Sequence, residues 1–121
     1  MENELNVTYE GEFVKVISNG EKDFKFAKKC WTSVVKVCKE KNIYRVLGIS
    51  NTFTPISPSE AYNHPKLFKE LGINLKYKIA WVELNSEFID IYKYTEIVLS
   101  NREFPGKLFT CIEEAKRWLL K

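Results

Sequence analysis

Ile43-Tyr44-Arg45-Val46-Leu47-Gly48-Ile49-Ser50 is the stretch on which the fold turns. This short apolar run, bounded by Lys41-Asn42 before it and Asn51-Thr52 after it, reads as a strand buried on both faces, and so as the middle of a sheet. A helix-period segment precedes it, and a Pro/Ser-rich loop followed by more helical pattern comes after it. That is the strand and helix alternation of an α/β domain. The order of elements therefore gives the fold class, whereas no residue constellation names a reaction.

A chain of 121 residues suits one domain, residues 1–121, and can bury roughly two-thirds of its unfolded surface without staples. Hydrophobic residues at 45% and charged residues at 29% are ordinary globular values and argue against wholesale disorder. No apolar run approaches the roughly 20 residues that cross a bilayer, and the polar start Met1-Glu2-Asn3-Glu4 does not read as a signal peptide. The expected location is the cytoplasm. Cys30, Cys38 and Cys111 form an odd set without a Cys-x-x-Cys spacing; the first two lie about 12 Å apart along one predicted helix, too far to bridge. Reduced, mostly buried thiols are expected. The net charge of +3 is shared between the halves and selects no strongly charged partner by itself.

Upstream of the central strand, Leu5 to Glu10 and Glu12 to Ser18 read as two strands of a hairpin joined at Gly11, with Asn19-Gly20 as the turn that closes the second. Asp23 is the expected cap of a helix over Phe24 to Lys41, whose inner stripe is Phe24, Ala27, Trp31, Val34, Val35 and Cys38. Downstream, Ser57-Pro58-Ser59-Glu60 combines a Ser cap, Pro at the first helical position and a Glu that can return the cap's bond. Pro65 predicts a break near Asn63-His64, with a second helical piece from Lys66 to Leu71 ended by Gly72. Lys76 to Leu84 reads as a strand beside the central one. A helix then follows Asn85 or Ser86, with Phe88, Ile91, Tyr92, Thr95, Val98 and Leu99 on its inner face and Asn101 near its end. Pro105-Gly106 makes a turn into a short strand, Lys107 to Phe109. A capping box over Thr110-Cys111-Ile112-Glu113 opens a last helix that buries Ile112, Ala115, Trp118 and Leu119.

Three local strings, Val46-Leu47-Gly48-Ile49, Lys78-Ile79-Ala80-Trp81-Val82 and the terminal stretch from Lys107 to Leu119, resemble the short single-domain SpoIIAA-like (STAS-like) proteins of bacteria. The resemblance implies a single-domain α/β fold with a mixed, mostly parallel sheet of about five strands and about four helices. It also implies a regulatory, protein-binding role without catalysis. Better-known STAS proteins are switched by phosphorylation in an Asp-Ser-Ser-Gly motif after the central strand. Here Ser57-Pro58-Ser59-Glu60 matches that place and puts Pro58 where the phosphorylated serine belongs, and Gly48 stands where such strands often carry an acid. Ser57 or Ser59 can still take a phosphate at a helix N-terminus, although two serines that merely start a helix are the plainer reading.

His64 is the sole histidine, with no clustered Cys or acids, so the sequence offers neither a zinc site nor a triad, and a surface or capping role is expected for it. The five glycines are scattered singly and build no phosphate-cradling loop. No catalytic residue, metal ligand or cofactor-binding residue is assigned, and the reading is of a non-enzyme. Lys25, Lys28, Lys29, Lys36 and Lys39 project from one arc opposite the Trp31 stripe, a ridge suited to an anionic membrane surface. Nucleic acid is disfavoured, because the pI of 8.7 is below the usual value of about 9 and no stacking aromatics interleave the lysines.

Two function classes follow. The first is a regulatory or protein-interaction module with a protein partner, a homodimer being left open. The second is a carrier or sensor of a small apolar ligand or lipid. For both, the expected functional surface is the loop after the central strand, with Asn51, Thr52, Phe53, Ile56, Ser57 and Ser59. An apolar cavity of about 300 Å³ or more beneath that loop favours the carrier, and a flat apolar patch favours a protein partner.

Overall fold

The computed structural model describes residues 4–20, 24–52 and 62–121. One sheet holds five strands in the order β1 (Glu4–Tyr9), β2 (Val14–Gly20), β3 (Arg45–Thr52), β4 (Lys78–Glu83) and β5 (Lys107–Phe109). β1 and β2 form an antiparallel hairpin, and β2 to β5 run parallel. Four α-helices lie among the described residues: α1 (Phe24–Lys41), α2 (Asn63–Leu71), α3 (Ile89–Asn101) and α4 (Ile112–Leu119), with a 3₁₀ turn at Ser86–Phe88 leading into α3. This is the small α/β domain expected from the sequence, with the apolar run of β3 at its centre and β4 as the parallel neighbour.

Alternation along the strands sends successive side chains to opposite faces and so builds two cores. On one face Val14, Val16, Val46 and Ile79 pack with Trp31, Val34 and Cys38 of α1 and Leu67 and Phe68 of α2. On the other, Leu47, Ala80 and Val82 pack with Ala115 and Leu119 of α4. Gly48 belongs to the first face and sits opposite Trp81 in the register. A Cβ at Gly48 would lie 2.0 Å from Trp81 Cε3, so the indole occupies the space that any other residue would fill. Trp81 then packs 5.4 Å from Trp31, whose ring lies 4.9 Å from Phe68. A glycine that weakens most strands is here the seat of an aromatic stack.

Several local expectations are corrected. Asn19 and Gly20 do not leave the sheet as a turn; β3 extends to Thr52, so both still pair with it, opposite Asn51 and Thr52. The second helical piece, α2, begins at Asn63 and not at Lys66, with Pro65 in its first turn, where a backbone N–H has no intrahelical acceptor; the helix expected before the break lies outside the described residues. Gly72 ends α2 as expected, with φ 75° and the Ile73 N–H returning to the Phe68 carbonyl at 2.9 Å, a Schellman-type closure. On α1, Phe24 is 42% exposed and Ala27 half-buried, while Phe26 and Cys30 join the core, following Val34 and Cys38 back at intervals of four residues. On α4 the N-cap is Cys111, one residue beyond Thr110, and makes no side-chain cap bond, so the expected capping box does not form. Ile112 and Trp118 are only half-buried, leaving Ala115 and Leu119 as the anchors of that helix. The cap Asp23 and the helix start at Ser57-Pro58-Ser59-Glu60 lie outside the described residues.

Gly48→Ala is expected to destabilise the fold by about 1–3 kcal/mol or more in urea denaturation, with much of the loss recovered in a Gly48→Ala/Trp81→Leu double variant. In the same assay Leu119→Ala should cost about 2–5 kcal/mol and Trp118→Ala distinctly less, since the half-exposed ring leaves no closed cavity behind.

Candidate binding site

An apolar cavity of about 100 Å³ lies between the sheet and the three helices on its first face. α1 supplies Phe26, Ala27 and Trp31 to its wall and α2 supplies Leu67 and Phe68; Ile79 and Trp81 of β4 form the floor. The roof is α3. That helix rests mainly on α2 and β5, and its Ile91, Tyr92 and Thr95 line the cavity together with Ile79 and Trp81 of β4. These three were expected to be core residues, yet all are half-buried, and the fully buried residues of α3 are Val98 and Leu99 at its far end. Helical spacing identifies the inward stripe but not how far the helix stands from its sheet, and the gap is invisible to it.

The cavity is smaller than the roughly 300 Å³ of a drug-sized pocket. It approaches the size of the engineered apolar cavity of about 150 Å³ that takes up benzene, so it suits a single ring or the end of an alkyl chain. Its polar border is made of Ser18, His64, Tyr92, Thr95, Glu96 and Lys107. Glu96 accepts a hydrogen bond from the Leu108 N–H, which ties α3 to β5. His64, expected on the surface or at a cap, is instead half-buried at the second position of α2, its ring 6.3 Å from that of Phe68.

Beside the cavity, at the C-terminal end of the strands, Ser18, Ser50 and Glu83 form a row across β2, β3 and β4 and are 2%, 0% and 1% exposed. Trp81 Nε1 donates to Ser50 Oγ at 3.1 Å, and Ser50 Oγ donates to Glu83 Oε1 at 2.7 Å. The Asn85 N–H donates to Glu83 Oε2 at 2.9 Å, and the Asn85 side chain accepts from the Glu87 N–H to cap the 3₁₀ turn. A carboxyl group removed from water is costly unless it is hydrogen-bonded, and these donors supply that compensation. A hydroxyl beside a carboxylate resembles half of a nucleophile arrangement, but Ser50 is sealed and its oxygen is held by Trp81, so the pair acts as a tie between β3, β4 and the Trp81 ring. Glu83 carries no sequence signal: it ends an apolar run as many exposed glutamates do, and only the strand register buries it.

Of the residues singled out from the sequence, Asn51 lies half-buried at the end of β3 and donates its N–H to Asn19 Oδ1 at 3.2 Å, and Thr52 closes that strand. Phe53, Ile56, Ser57 and Ser59 lie outside the described residues. Lys25, Lys28, Lys29, Lys36 and Lys39 are all exposed on α1, away from its buried stripe. Cys30 and Cys38 are buried and Cys111 is exposed. Burial pushes the Cys38 thiol from 9.0 up to about 11. Burial, then the neighbouring Cys38 and Tyr44, pushes Tyr77 from 10.0 up to about 12. Among the described residues there is no group of three or more metal-ligating side chains, and no helix is long and apolar enough to cross a membrane. Compared with known proteins, the chain matches no family model and no curated relative.

Ser50→Ala strips the acceptor from Trp81 Nε1 and one donor from Glu83, an expected cost of about 1–3 kcal/mol with a shifted tryptophan emission. Stability should fall as pH rises from about 9 towards 11, because the unfolded chain releases the Cys38 proton in that window while the folded chain retains it. In urea titrations across that window, Cys38→Val should flatten the slope.

Proposed function

We propose that this protein is a non-enzymatic binding module that senses or carries a small apolar molecule held between α1, α2 and α3. The cavity is the observation that carries this reading: its walls are aromatic and aliphatic, and it sits under a helix whose apolar stripe the sheet does not fully bury. Phe24, 42% exposed, stands at its edge, as does His64 at the start of α2. The volume limits the bound group to a few heavy atoms unless α3 shifts outward, which favours a sensor of a small molecule over a carrier of a whole lipid. The sealed Ser50–Glu83 pair supports binding in place of chemistry, since no substrate reaches it.

A second reading, a regulatory protein-interaction module of the STAS-like type, is favoured by the resemblance of the strand and terminal-helix strings and by β1. That six-residue strand lies at the sheet edge with Glu4 as its only charge, and an unblunted edge of this kind can accept a strand from a partner or a second copy. On this reading the STAS-like relationship and a cytoplasmic location remain part of the proposal, whereas the α1 lysine ridge as a contact for an anionic membrane belongs with the apolar-ligand reading.

Titration with benzene or toluene decides between the two. Trp31 and Trp81 face the cavity, so uptake should change their fluorescence and raise the melting temperature with ligand concentration, with a dissociation constant at or below about 1 mM. Ala27→Phe, which fills the space from α1, should abolish the response while leaving the protein folded. An unchanged response in that variant places the ligand elsewhere, and no response in the parent chain removes the sensor reading.

A further inference from the structure

Three of the four parallel strands open with a cation: Arg45 begins β3, Lys78 begins β4 and Lys107 begins β5. Arg45 and Lys78 are direct partners in the parallel register, and Lys107 pairs two positions further along β4, opposite Ala80, so pleating directs all three to the α4 side of the sheet. Like charges placed opposite one another repel unless something neutralises them. The ion pair found among the described residues, Lys15 with Glu10, involves none of them. Lys76 adds a fourth cation in the loop before β4.

The three lysines lie against aromatic rings in place of carboxylates. Lys76 Nζ stands 4.1 Å from the Tyr44 centroid, and Trp118 has Lys78 Nζ at 4.6 Å and Lys107 Nζ at 5.6 Å. Lys78 also donates to the Trp118 carbonyl at 2.7 Å, which fixes one end of the row. Two shallow grooves meet here and share Leu75 and Lys78; one runs on to Ile97, Lys107 and Trp118, the other to Arg45 and Lys76. Leu75 is 67% exposed and Ile97 54%, the two most exposed large aliphatic side chains among the described residues. The bordering carboxylates are Glu12, at the far groove, and Glu96, which is turned onto the Leu108 N–H.

We propose that this edge, at the N-terminal ends of β3, β4 and β5, docks on an anionic phospholipid surface. Exposed aliphatic side chains that can enter the acyl boundary, ringed by lysine, arginine, Trp and Tyr at headgroup level, are what such a surface accommodates. Nucleic acid fits less well: the Tyr44 and Trp118 faces already carry lysines, and Leu75 and Ile97 offer a base no stacking plane. The α1 lysine ridge is a different face. Apart from Phe24 at the end of α1, it brings no exposed large apolar side chain to accompany its charge. Lys107 borders both this edge and the cavity, but the proposal needs no ligand in the cavity and its readout does not involve an apolar ligand.

Vesicle co-sedimentation of the full chain tests it. Binding is expected to vesicles containing about 30% phosphatidylserine at low ionic strength, to be absent with phosphatidylcholine alone, and to weaken several-fold near 0.5 M salt, where the Debye length falls to about 4 Å. Leu75→Ser/Ile97→Ser should lower the partition coefficient about tenfold and Arg45→Glu/Lys107→Glu should abolish binding, both with unchanged circular dichroism because these side chains are exposed. Lys28→Glu/Lys36→Glu on α1 should change it far less. Failure of the parent chain to bind acidic vesicles overturns the proposal, as does equal binding to neutral vesicles or an α1 variant that loses as much as the edge variants.

Discussion

The indole of Trp81 seated on Gly48 is the contact from which the first face of the sheet takes its shape. A side chain of any size at residue 48 would displace the ring, and the ring in turn meets Trp31 of α1, which meets Phe68 of α2. Two helices are thereby held off the strand by one aromatic layer. The ring's nitrogen is fixed as well, through Ser50 to Glu83, so the stack cannot slide without breaking a buried hydrogen-bond chain. The cavity follows from this arrangement. The aromatic layer of Trp31, Phe68 and Trp81 forms one side of the cavity, and Ile91, Tyr92 and Thr95 of α3 form the other.

The parts of the fold legible in the sequence are those decided by local chemistry. α1 begins and ends where its periodicity does, from Phe24 to Lys41, and β5 occupies Lys107 to Phe109 as expected. Gly72 ends its helix because only a left-handed residue closes that turn readily. The errors share a cause, since each depends on a neighbour that local pattern does not contain. Asn19 and Gly20 look like a turn until β3 is seen to run alongside them. Pro65 argues against a helical residue before it until α2 is seen to start at Asn63, with the proline in its first turn. Trp118 looks like a core ring, but lysines from β4 and β5 and Phe109 surround it at the rim.

The candidate sites divide in the same way. The α1 lysines were readable because a helical wheel alone separates them from the buried stripe. The buried row Ser18, Ser50 and Glu83 was not, because its residues are distant in the chain and become neighbours only through two parallel registers. The cavity was not readable for a related reason: most residues in its wall are ordinary core residues by type, and a void is a property of how elements stand relative to one another.

The two ends of the parallel strands consequently carry opposite chemistry. At the C-terminal end the register gathers hydroxyls and a carboxyl group, and burial forces them to satisfy one another. At the N-terminal end the register sets Arg45 opposite Lys78 with Lys107 close by, Arg45 and Lys107 are exposed, and Lys78 and Lys107 lie over the Trp118 ring. Burial thus turns one polar row into structure and exposure keeps the other available. A ligand held in the cavity would touch α3, and α3 also carries Ile97 to the cationic edge. A shift of α3 to admit a larger ligand would therefore move one of the two aliphatic side chains at that edge, so one helix physically connects the two sites.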